Sequence, residues 1–123
     1  MASILVVDDN PSIRRSLRRL FESNGYTVAE APTGRMALTN LRHAPSDLVV
    51  SDVFMPDMNG YELLMTLRDE FPDIPLIMMS GGDGGVGKTN VLHAGSKLGA
   101  LRVFEKPFRL NEMLEAVQGA LAD

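Results

Sequence analysis

The 123-residue chain contains no cysteine. Disulfides, thiolate catalysis and cysteine-based metal centres are therefore excluded. No apolar run approaches the roughly 20 residues that a membrane-spanning helix requires. The start of the chain also lacks the basic segment of a signal peptide. We therefore expect a cytoplasmic protein that has no membrane association.

Positively charged residues are also outnumbered, because the chain has 12 Lys and Arg residues and 16 Asp and Glu residues, which gives a net charge of −4. This balance argues against direct binding to nucleic acid or to an anionic membrane. A content of 45 % hydrophobic and 23 % charged residues is ordinary for a globular protein. The length predicts one domain over residues 1–123.

Short apolar runs alternate with longer amphipathic stretches along the chain. Runs of this kind are typical of strands that are buried on both faces of a parallel sheet, with helices as right-handed crossovers. The predicted strands are residues 4–7, 26–30, 48–50 with an end at Ser51-Asp52, 74–79 and 101–104. The five predicted helices lie near residues 11–24, 34–44, 61–67, 91–98 and 110–121.

Polar residues follow the predicted strands at the edge where open α/β sheets form their sites. They are Asp8 and Asp9 after the first strand, Asp52 after the third, Ser80 after the fourth and Lys106 after the fifth. Two carboxylates about 4 Å apart repel by about 4 kcal/mol at an effective dielectric near 20. Lys106 supplies one compensating charge, and Mg²⁺ with hard oxygen ligands is the natural second.

A carboxylate beside a divalent cation, an ammonium group and a hydroxyl has what phosphoryl transfer requires. The cation and the lysine neutralise charge on the transferring oxygens, and the carboxylate is the nucleophile. Taken singly, each residue has an ordinary explanation as a helix cap, a loop carboxylate or a surface turn. Their joint placement at strand ends is what predicts a site.

The same residues resemble the receiver domains of two-component response regulators. The matching features are the acidic pair Asp8-Asp9, the phosphoacceptor and its Pro-x-x-x-Gly loop from Asp52 to Gly60, the hydroxyl of Ser80, and Lys106-Pro107-Phe108. The resemblance covers the whole chain. It implies a flavodoxin-like, doubly wound sheet of five parallel strands in the order 2-1-3-4-5, with five helices.

The resemblance also implies roles. Asp52 would accept a phosphoryl group from a histidine kinase, a phosphotransfer protein or a small phosphodonor. Mg²⁺ would be held by Asp9, Asp52 and the Phe54 carbonyl, with Asp8 acting through water. Ser80, Lys106 and the Gly81 N–H would bind phosphoryl oxygens, and the Lys106–Pro107 bond would be cis. Such a domain is a switch for a downstream protein or output domain, and it catalyses only its own phosphorylation and dephosphorylation.

Two features depart from the family pattern. Val103 stands three residues before the lysine, where the family usually has Tyr or Phe, and the aromatic of this strand is Phe104. The glycine-rich loop after Ser80 is also longer than usual. We expect the readout of phosphorylation to depend more on this loop than on strand five.

A second reading competes with the first. The segment from Gly82 to Thr89 fits the P-loop pattern G-x-x-x-x-G-K-[ST] between a strand and a helix, which predicts nucleotide binding. Only one predicted strand follows it, and this reading leaves the acidic pair and Lys106 without a role. The arginines of the first helix, at positions 14, 15, 18 and 19, are either a solvated face or a surface that recognises the kinase.

Overall fold

The computed structural model describes residues 2–55, 57–80 and 99–122, which form a single parallel sheet with helices on both faces. The strands are β1 (Ser3–Val7), β2 (Thr27–Ala31), β3 (Leu48–Asp52), β4 (Leu76–Ser80) and β5 (Arg102–Glu105). Their order is β2-β1-β3-β4-β5, and every neighbouring pair is parallel. The predicted flavodoxin-like sheet and its strand order are confirmed.

Four of the five predicted helices fall within the described residues. They are α1 (Pro11–Glu22), α2 (Gly34–His43), α3 (Gly60–Glu70) and α4 (Leu110–Leu121). The helix predicted over residues 91–98 lies outside the described residues. In the described part of the chain, no helix combines the length and the apolar character needed to cross a membrane.

The sheet separates two hydrophobic cores, and successive residues of a strand point into opposite ones. Leu5 and Val7 of β1 pack in the core that lies under α2 and α3. Ile4 and Val6 pack in the core under α1 and α4. Because both faces of β1, β3 and β4 are covered, these strands are apolar on both sides, which explains their uninterrupted runs.

Polar side chains begin the helices close to the strand ends. Asn10 caps α1 by accepting hydrogen bonds from the N–H groups of Ser12 and Ile13. Asn59 and Glu62 form a reciprocal capping box at the start of α3. These caps satisfy N–H groups that have no partner within the helix, so they fix the point at which each loop turns into helix.

Candidate functional site

Three carboxylates meet at the carboxyl edge of the sheet. Asp8, Asp9 and Asp52 each place one carboxylate oxygen so that all three atoms lie within 4.8 Å of one another. The contact follows from the sheet, because β1 pairs with β3 up to Val7 and Ser51, and the next residues lie side by side. Asp8 is fully buried, Asp52 is 6 % exposed and Asp9 faces solvent.

Lys106 is the cation of this cluster. Its Nζ lies 2.8 Å from Asp8 Oδ2 and 3.4 Å from Asp52 Oδ1. Its backbone N–H donates to the Ser80 carbonyl at 2.7 Å, which anchors the residue to the end of β4. The following Lys106–Pro107 bond is cis, as the resemblance implies. The structure thus brings together the lysine and the three aspartates singled out in the sequence.

The surroundings of Asp52 raise its pKa. Burial raises the pKa of Asp52 from 3.8 to about 6, and the negative charge of Asp8 adds to this effect. Lys106 and the Val53 N–H, which donates to Asp52 Oδ1 at 3.0 Å, lower the pKa but do not outweigh burial. One lysine faces three carboxylates, so a hard divalent cation such as Mg²⁺ fits this all-oxygen donor set.

Ser80 presents a buried hydroxyl at the same edge. The residue is 2 % exposed, and its Oγ has no hydrogen-bond partner among the described residues. It is the last residue of β4, next to β3, where Asp52 pairs with Met79. A buried hydroxyl without a partner costs about 1–3 kcal/mol, which a ligand that accepts its hydrogen bond would recover. The Gly81 N–H, named with Ser80 in the sequence, lies outside the described residues.

An open cleft of about 620 Å³ leads from solvent to the carboxylates. Its polar lining consists mainly of the three aspartates and Lys106, and the exposed Phe54 also lines it. Apolar side chains of α1 and of the segment after Lys106 form its walls, namely Ile13, Leu17, Phe108 and Leu110. The cleft therefore combines a polar lining with an apolar one.

Gly60 has a structural role that its place in the loop motif did not explain. A Cβ atom on this residue would lie 2.7 Å from the Asp52 carbonyl oxygen and 2.9 Å from the Val53 Cα. The Gly60 N–H also donates to the Val53 carbonyl at 2.7 Å. Only glycine allows the start of α3 to approach the backbone of Asp52 this closely. The Pro-x-x-x-Gly pattern identified this glycine in the sequence. The structure explains why the residue is glycine, namely its close approach to the backbone of Asp52 and Val53.

Curated relatives are response regulators that are longer than this chain. Response regulator MprA of Mycolicibacterium vanbaalenii is 38 % identical over 118 residues, which cover 96 % of this chain and 49 % of the relative. Response regulator MprA of Mycobacterium ulcerans is 37 % identical with the same coverage. The chain spans about half the length of these relatives.

Solved structures of receiver domains share the fold. The beryllofluoride-activated NtrC4 receiver domain superposes with a TM-score of 0.89 at 32 % identity, covering 98 % of this chain and 96 % of that domain. The chemotaxis response regulator CheY4 of Vibrio cholerae gives a TM-score of 0.87 at 32 % identity, with 98 % and 99 % covered.

The model of the response regulator receiver domain family matches residues 4–118. The competing P-loop segment from Gly82 to Thr89 lies outside the described residues, and none of these matches supports nucleotide binding. The family match extends over the strand ends that carry the acidic pair, Asp52, Ser80 and Lys106. On this evidence the chain belongs to the response regulator receiver domains, the phosphorelay modules of two-component signalling.

Proposed function

We propose that Asp52 is the phosphoacceptor of this receiver domain. The observation that carries the proposal is its position: a buried carboxylate at the end of the central strand β3, 3.4 Å from the Lys106 ammonium and inside the acidic cluster. Asp8 is fully enclosed and already bonded to Lys106, and Asp9 faces solvent. Of the two aspartates beside Lys106, Asp52 is the one that keeps some exposure in the cleft.

The reaction is an exchange of one bond to phosphorus. A carboxylate oxygen of Asp52 attacks the phosphorus of a phosphohistidine, and the bond from phosphorus to the imidazole nitrogen breaks. The imidazole leaves with the bonding pair and takes up a proton, and Asp52 becomes an acyl phosphate. The attacking oxygen must be ionised. A pKa of about 6 leaves most of the Asp52 population ionised at neutral pH.

Lys106 and Ser80 bind the phosphoryl oxygens in this proposal. Lys106 Nζ is shared between two carboxylates, so it can pass to a phosphoryl oxygen while it stays near Asp8. The Ser80 hydroxyl, unpartnered among the described residues, donates to another oxygen. Both bonds to the phosphoryl group are of the charge-assisted kind, which are the stronger hydrogen bonds in proteins.

Asp9, Asp52 and the Phe54 carbonyl would hold Mg²⁺, with Asp8 acting through water. When bound, the cation neutralises charge on the transferring phosphoryl oxygens. The chain's own part is to hold the three carboxylates in place and to keep Asp8 and Asp52 buried. The domain thus catalyses only its own phosphorylation and dephosphorylation.

The phosphodonor would be a histidine kinase or a phosphotransfer protein that docks over the cleft. The apolar walls at Ile13 and Phe108 suit a helix of such a partner, and Arg15 and Arg19 are exposed on α1 beside it. Phosphorylation would then change binding to a downstream protein or an attached output domain. The predicted location is the cytoplasm, where a kinase could phosphorylate this domain.

The test is phosphorylation by acetyl phosphate with Mg²⁺, followed by intact-protein mass spectrometry. We expect the wild type to gain one phosphoryl group and Asp52→Asn to gain none. Asp57→Asn is the matched control, because this aspartate lies in the same loop, outside the acidic cluster, and pairs with Arg35 at 3.7 Å. Phosphorylation of Asp52→Asn to the wild-type level, or no uptake by the wild type, would contradict the proposal.

A further inference from the structure

The backbone carbonyl of Asp8 is held by a side chain that does not line the cleft. Arg14, one turn into α1, donates a hydrogen bond from Nη1 to this carbonyl. Asp8 lies beyond the last residue of β1, although its N–H still reaches the Ala31 carbonyl at 3.2 Å. A buried carbonyl left without a partner costs about 1–3 kcal/mol. Arg14 therefore supplies a bond to the acidic turn from outside the lining of the cleft.

Glu30 sets the direction of the Arg14 guanidinium. Glu30 Oε1 accepts from Arg14 Nε at 3.2 Å, and its Oε2 accepts from Arg18 Nη1 at 2.8 Å. Glu30 stands on β2 opposite Val6 of β1, so it is fixed next to the strand that delivers Asp8. Because a guanidinium is planar and rigid, a bond at Nε also fixes where Nη1 points. The Arg14 side chain is only 17 % exposed.

The bond from Arg14 acts on both members of the acidic pair. The Asp8 carbonyl belongs to the rigid peptide unit that also carries the Asp9 N–H, so holding the carbonyl orients the residue that follows. The Asp8 carboxylate is bonded separately, to the Asn10 N–H at 2.9 Å and to Lys106 Nζ at 2.8 Å. With Arg14 in place, every polar group of Asp8 has a partner.

We propose that Arg14, oriented by Glu30, is a positioning residue for the divalent-cation site, because it fixes the peptide from which the Asp8 and Asp9 carboxylates project. This inference rests on the proposed Mg²⁺ site. Two effects of Arg14 on a cation have opposite signs. Its positive charge repels the cation, so charge removal alone would tighten binding. Its hydrogen bond holds the ligands in place, so loss of positioning would weaken binding.

The experiment measures Mg²⁺ affinity by isothermal titration calorimetry on the metal-free protein. We expect Arg14→Gln to bind about 10-fold more weakly or worse, the size typical for residues that orient metal ligands. Arg14→Lys should weaken binding too, since an ammonium group cannot reproduce the planar, two-point contact. Arg18→Gln is the matched control: it removes the same charge and another bond to Glu30, but it leaves the Asp8 carbonyl bonded.

Arg18→Gln should bind Mg²⁺ with wild-type or slightly tighter affinity, because it removes a positive charge but leaves the Asp8 carbonyl bonded. Circular dichroism in EDTA should show that each variant is folded. Wild-type or tighter Mg²⁺ binding by Arg14→Gln would overturn the positioning role. If Arg14→Gln does not fold, Arg14→Lys decides, and wild-type affinity in that variant would likewise overturn the role. Absence of Mg²⁺ binding by the wild type would instead overturn the cation site itself. The same titration series therefore distinguishes a failure of the positioning role of Arg14 from a failure of the proposed Mg²⁺ site.

Discussion

Replacing the proposed phosphoacceptor by asparagine should make the metal-free protein more stable at neutral pH. Burial, with the charge of Asp8 adding to it, raises the pKa of Asp52 from 3.8 to about 6. Each pKa unit corresponds to about 1.4 kcal/mol, so an ionised Asp52 costs the folded protein about 3 kcal/mol. Asparagine does not ionise. Asp52→Asn should therefore raise the free energy of unfolding at pH 7.5 by up to about 3 kcal/mol, or roughly 10 °C in Tm.

The sign of the effect predicts a pH dependence. The folded protein holds the Asp52 proton more tightly than the unfolded chain does, so the wild type gains stability from this carboxyl at low pH. That stability is fully present below about pH 4 and is lost as pH rises through about 6. The advantage of Asp52→Asn should thus be small near pH 4 and should level off above pH 7.

Urea unfolding in EDTA, followed by circular dichroism between pH 4 and pH 8, measures this difference directly. Saturating Mg²⁺ should narrow it, since a ligand at 100 times its Kd stabilises the wild type by about 2.7 kcal/mol. Asp69→Asn on α3 is the control, because this aspartate is exposed and should change stability by less than about 0.5 kcal/mol. A stability difference between wild type and Asp52→Asn that stays constant with pH would refute the reasoning.

Three further substitutions probe the frame around Asp52. Gly60→Ala places a methyl group 2.7 Å from the Asp52 carbonyl oxygen and should cost about 1–3 kcal/mol in urea unfolding; a cost below 0.5 kcal/mol would contradict the close approach. Lys106→Met leaves Asp8 without its buried partner and should cost about 3 kcal/mol at pH 7 in EDTA. The stability cost of Lys106→Met should be smaller at pH 5, because Asp52 takes up a proton there and no longer repels Asp8. An equal cost at pH 5 and pH 7 would contradict this explanation. Asn59→Ala removes the cap of α3 and should lower thermal stability by about 1 kcal/mol, with an unchanged Tm as the contrary result.

The fold followed from the sequence to a large extent, because both the buried runs and the helix caps are local signals. The end of β3 at Ser51-Asp52 agrees with the structure, in which Asp52 pairs with Met79 at the end of the ladder. The start of β4 was placed too early, at residue 74, because the apolar run begins there. The Ile74 N–H instead donates to the Phe71 carbonyl, and the strand begins at Leu76. Pairing between neighbouring strands decides which residues of an apolar run join the sheet, and it is not visible in the composition of one segment.

The role of Arg14 lay beyond sequence reasoning for a similar reason. The basic run of α1 suggested two outward-facing roles, a solvated face or a partner surface. The structure divides the run: Arg15 and Arg19 face solvent, whereas Arg14 and Arg18 turn toward Glu30 of β2. Helical periodicity identifies which residues share a face, but the acceptor that draws two of them inward stands on another element.

The two cores also bear on the departure from the family pattern in β5. Val103, at the position where the family usually has an aromatic, packs with the core under α2 and α3. Phe104 packs in the opposite core, and its ring lies 5.8 Å from that of Phe108, just after Lys106 and Pro107. Successive residues of a strand face opposite sides, so Phe104 has no route to the position that Val103 occupies. A one-residue shift of the aromatic is therefore a change of core, and it places the ring beside Phe108, two residues after Lys106.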